Sequence, residues 1–75
     1  MNTEKKCYEI LYVTGKSLVN VFASVVAGRT LQDVARQVPV LKGEGKKFVG
    51  YVHPNGKVKF ADSFKSVEKY TIIRN

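Results

Sequence analysis

Between Lys46 and Phe60 the chain reads KKFVGYVHPNGKVKF, which gathers four lysines, a tyrosine and the single histidine of the sequence around the turn His53-Pro54-Asn55-Gly56. Lysine ammonium groups neutralise phosphates, and a ring beside them stacks on a base; binders of single-stranded nucleic acid combine the two. Proline suits the second position of a type I turn, and glycine suits the left-handed position of a three-residue hairpin loop. That loop sets His53 opposite Lys57, Val52 opposite Val58, Tyr51 opposite Lys59, Gly50 opposite Phe60 and Val49 opposite Ala61. Lys47, Val49, Tyr51, His53, Lys57 and Lys59 then share one face, and Phe48, Val52, Val58 and Phe60 the other. The expected nucleic-acid-binding set is Lys47, Tyr51, His53, Lys57 and Lys59, joined by Lys42 and Lys46 from the preceding loop, and the expected partner is RNA or single-stranded DNA.

Other chemistry is poorly supplied. VTGKSL invites comparison with a phosphate-binding loop, but that motif needs glycine where Ile10 stands, so Gly15-Lys16-Ser17 reads as a hairpin turn. One histidine and scattered carboxylates, Asp33, Glu44, Asp62 and Glu68, build no acid and base couple, so no enzyme is expected. Cys7 has no second cysteine to pair with, and with one histidine it cannot close a zinc site. No metal or other cofactor is expected.

The charge balance favours an anionic partner. Lys plus Arg number 13 against 6 Asp plus Glu, a formal net charge of +7, and the surplus is uneven. Residues 42–75 carry eight basic and three acidic side chains, whereas residues 1–41 carry five and three. Such a field draws polyanions and steers their association. No apolar run long enough for a membrane span or a signal peptide appears, and a cytoplasmic location is expected.

These residues must be held by a single small domain, residues 1–75. KKCYEILYVTGKSLVNVFA reads as a first hairpin, with strands Lys6 to Val13 and Leu18 to Ala23 about a Gly15-Lys16 loop. Tyr12 would face Val19, Ile10 face Val21 and Tyr8 face Ala23. The reverse face would hold Leu11, Val13, Leu18 and Phe22, more apolar than a solvated sheet face should be, and these four are the expected homodimer interface. Ala27, Leu31, Val34, Ala35 and Val38 form one helical stripe. The helix begins after Ser24 or after Thr30, the latter with Asp33 as a capping box, and Pro39 is expected to end it. A last strand is expected from about Lys69 to Arg74, with Tyr70 and Ile72 on one face. The sum is an α+β domain, one helix on an antiparallel sheet, in the order β-β-α-β-β-β.

The run YEILYVTGKSLVNVFASVVAGRTLQDVARQ, residues Tyr8 to Gln37, resembles the strand, turn, strand, helix opening of small phage-encoded accessory proteins. The resemblance implies host takeover or counter-defence, including antitoxin-like neutralisation of a host toxin or nuclease. It therefore sets a stoichiometric inhibitor of a host protein, docking by its basic face, beside the nucleic-acid reading.

Overall fold

Period-two alternation in Lys6–Val13 (β1) has an apolar residue on both sides for most of its length. Tyr8 and Ile10 join Val34 and Leu41 in one buried cluster, while Leu11 and Val13 join Val21, Val49, Val52 and Phe64 in another. The strand is thus a wall between two cores, which is why neither of its faces is polar. The computed structural model that shows this describes residues 4–15, 19–65 and 69–74.

The second strand is longer and later than the sequence reading placed it. Asn20–Gly28 (β2) pairs antiparallel with β1, setting Tyr12 opposite Phe22, Ile10 opposite Ser24 and Tyr8 opposite Val26. The expected register is therefore off by three residues, and the odd shift exchanges the faces of β2. Phe22 falls on the Tyr12 side, and Val21 and Ala23 on the Leu11 side. Ser24 to Gly28 continue the strand because Val25 and Val26 are β-branched and fit a pleated surface better than a helix.

Of the two helix starts left open, Thr30 is the one used. The Thr30 and Arg29 N–H groups donate to Asp33 Oδ2 at 3.3 and 3.0 Å. Leu31–Ala35 (α1) is short, and Pro39 does not end the helical segment as expected. It occupies the first turn of Val38–Gly43 (α2), where its missing N–H would have had no partner. Leu31, Val34, Val38 and Leu41 press this two-part segment onto Tyr8 and Ile10.

Lys47–Val52 (β3) pairs antiparallel with the other side of β1, and its register slips between Leu11 and Tyr12. Tyr12 faces Phe48 and Leu11 faces Gly50, so Val49 is the extra residue of a β-bulge. Val58–Phe60 (β4) pairs antiparallel with β3 at the sheet margin. The 3₁₀ turn Asp62–Phe64 then plugs the second core with Phe64, and Phe60, Phe64 and Tyr70 meet ring to ring at 5.1 to 5.8 Å.

Thr71–Ile73 (β5) pairs parallel to β2, and Ile72 packs on the Phe64 core, the side on which Tyr70 also lies, as expected. Parallel pairing follows from direction: β4 finishes at the end of the sheet where β2 starts, so a strand entering there runs alongside β2. The sheet order is β4-β3-β1-β2-β5. The α+β class stands, but the sheet is mixed rather than antiparallel. The order is β-β-α-α-β-β-3₁₀-β, because a turn divides the helical segment and a 3₁₀ turn precedes the last strand. Among the described residues no helix is long and apolar enough to cross a membrane.

Candidate nucleic-acid interface

The loop of the second hairpin closes as its residue types dictate. The His53 N–H donates to the Lys57 carbonyl and the Gly56 N–H to the His53 carbonyl, both at 2.8 Å, with Gly56 at φ 88°. Asn55 Oδ1 accepts from the Lys57 N–H at 2.9 Å, tightening the turn. Tyr51 stands opposite Lys59 and Val52 opposite Val58, in the expected register. The Ala61 N–H bonds to the Val49 carbonyl at 2.6 Å, continuing it.

Four of the seven expected residues therefore share one face of an edge ribbon: Tyr51 and Lys59 as one cross-strand pair, His53 and Lys57 as the next. The two lysines are exposed. They lie about 7 Å apart along the strand, two residues of extended chain. The two rings are half-buried, with Tyr51 4.8 Å from Phe48 and His53 5.9 Å from Tyr8, edge to face. Burial pushes the Tyr51 hydroxyl above its ordinary value, so it remains a neutral hydrogen-bond donor. No carboxylate interrupts the sequence from Gly45 to Ala61. Asp62, just beyond, is engaged by Lys65 at 3.0 Å, and its carboxyl is held below the ordinary range first by that bond and last by the more distant Lys59.

The remaining three lysines are dispersed. Lys42 is exposed in the last turn of α2. Lys46 bonds Glu44 at 3.1 Å and lies over the Tyr12 ring, 4.9 Å from its centroid. Lys47 stands opposite Val13 and so falls on the far side of the sheet from Tyr51. The bulge at Val49 is the cause: it sends Val49 and Val52 to the same core and leaves Phe48 beside Tyr51, so the expected lysine face loses Lys47 and Val49.

The expected dimer patch does not assemble either. Leu11 and Val13 are fully buried under Phe64, Phe22 lies on the opposite face, and Leu18 lies outside the described residues. What the sequence reading missed is the pair Tyr12 and Phe22, stacked at 5.6 Å with Lys46 above the tyrosine. Aligning the two aromatics across the hairpin, instead of closing it at Gly15-Lys16, is the signal that finds them. No protein-family model, curated protein or solved structure matches this chain.

Proposed function

We propose that the protein binds single-stranded nucleic acid, RNA or DNA, through the β3–β4 hairpin, with Lys57 and Lys59 on phosphates and Tyr51 and His53 beside the bases. The observation that carries this reading is the double cross-strand pairing of a ring with a lysine on an edge ribbon free of carboxylates. Cations set at regular intervals beside aromatic edges fit a strand whose phosphates and bases alternate. Single strands are favoured over duplex because α1 and α2 span five and six residues, too short to serve as a recognition helix in a major groove.

The reading is tested by fluorescence anisotropy with labelled oligouridylate and oligothymidylate, and with a duplex of equal length as competitor. Saturable binding at low salt that the duplex competes poorly is expected. No anisotropy change at low salt would overturn it and leave the basic hairpin to an acidic protein surface, the inhibitor role that the phage-like opening implies.

A further inference from the structure

The two margins of the sheet are guarded unequally. At the β4 margin stand Lys57 and Lys59, and a lysine-bearing edge resists pairing with another strand. At the other margin β5 pairs with β2 over Asn20, Val21 and Phe22, and the rest of β2 has no strand partner on that side among the described residues. No residue from Asn20 to Gly28 is ionisable.

Backbone direction shows which groups this margin offers. The Val19 carbonyl accepts from the Thr71 N–H at 2.7 Å, so residue 19 directs its hydrogen-bonding groups to the β5 side. Every second residue does the same along an unbroken strand, and β2 is in continuous register with β1 from Phe22 to Gly28. Val25 and Ala27 therefore turn their N–H and C=O groups outward, and Val25 is 68% exposed.

We propose that a second copy of this chain docks here, β2 against β2 and antiparallel, about a two-fold axis at Val26. Val25 and Ala27 of each copy then exchange backbone hydrogen bonds with Ala27 and Val25 of the other. The side chains of Ser24, Val25, Val26, Ala27 and Gly28, centred on that axis, are small and uncharged, so two backbones can approach to strand spacing, and residue 25 meeting 27 is matched by 27 meeting 25, as a contact made by the same patch twice requires. Copies that each carry +7 meet most easily where neither presents a lysine. Glu9, the cross-strand neighbour of Val25, is neutralised by Arg74 at 3.0 Å, and with Tyr12, Ala23, Ser24 and Val25 the pair lines a cavity of about 210 Å³. Lys6 and Arg29 flank only the Gly28 end. An extended acidic peptide would be drawn instead to the lysine margin.

The inference stands apart from the nucleic-acid reading. In such a dimer the sheet runs on across the axis and carries the two lysine hairpins on one face, on the order of 30 Å apart at the usual spacing of strands.

Sedimentation equilibrium over a concentration and salt series tests the proposal. The wild-type mass should rise from 8.4 kDa towards twice that value, and association should strengthen with salt as repulsion is screened. Val25→Pro removes an N–H that faces outward and no bond to β1, and Val25→Lys sets two ammonium groups near the axis. Each should raise the dissociation constant about ten-fold or more. Val40→Lys, at an exposed position on α2, should leave it unchanged, with circular dichroism confirming the fold of all three. A wild type that stays monomeric throughout would overturn the proposal. So would a dimer that both Val25 variants leave intact.

Discussion

In the first hairpin, strands of eight and nine residues pair edge to edge, and β1 is covered on both sides, by the helical segment over Tyr8 and Ile10 and by Phe64 over Leu11 and Val13. In the second, three residues of β4 lie along the margin of β3, with Lys59 exposed between Val58 and Phe60. The first hairpin holds the molecule together, and the second is held out by it. The difference explains where charge resides: β1 from Tyr8 to Val13 has no exposed face on which lysines would be solvated, whereas the margin has.

Leu11→Ala separates the two roles most sharply. Its side chain is fully buried between strands and Phe64, and such a truncation costs about 2 to 5 kcal/mol. A single core of this size supplies roughly 3 to 5 kcal/mol, so the variant should be largely unfolded in thermal and denaturant melts. A cooperative melt close to that of the wild type would show that the first hairpin is not the scaffold.

Gly50→Ala should strike the second hairpin and spare the first. A Cβ there would stand 2.5 Å from the Lys59 carbonyl oxygen and 2.9 Å from Phe60 Cα, so the backbone of β4 must move away. Overpacking of this kind costs about 1 to 3 kcal/mol. Amide exchange should quicken in Val58–Phe60 while the amides of β1 and β2 stay protected; uniform loss of protection would mean that the hairpins fold as one unit.

A smaller effect is expected at the helical segment that joins them. The Asp33 carboxyl lies below its ordinary value of 3.8 because the Arg29 and then the Thr30 N–H bond its ionised form. Its contribution is complete above pH 3.8 and is lost as the pH falls through the lowered value. Asp33→Ala should lower the melting temperature slightly at neutral pH, and the gap to wild type should close on acidification. A gap unchanged once the carboxyl is protonated would show that the cap is not electrostatic.

The second hairpin was the more legible because its turn is short and made by residues with few options. Pro54 and Gly56 fix a three-residue loop, and the loop fixes every pair beyond it. Its bulge was not legible: the extra residue at Val49 follows from the register of β3 against β1, a non-local match, so the faces of Lys47 and Val49 were misjudged. The first hairpin failed for a related reason. Gly15 does adopt a positive φ, 91°, as a turn glycine would, yet β2 begins only at Asn20, so the glycine alone did not set the register. Ala27 fits a helical stripe and an alternating strand equally well, and only the cap at Thr30 and Asp33 decides between them. Tyr51, His53, Lys57 and Lys59 nevertheless share the expected face, since their register depends on the local turn alone.

The most direct test of the cationic hairpin is the salt dependence of single-strand binding, measured for the wild type, for Lys57→Ala/Lys59→Ala and for the charge-matched control Arg29→Ala/Arg36→Ala. Each phosphate contact contributes roughly 0.7 to the slope of log K against log salt on a single strand, so losing two should flatten it by about 1.4. The hairpin variant should show that flattening together with weaker binding, and the control should keep nearly the wild-type slope. Equal flattening in both variants would contradict the account, because the lysines would then act only as part of the net charge.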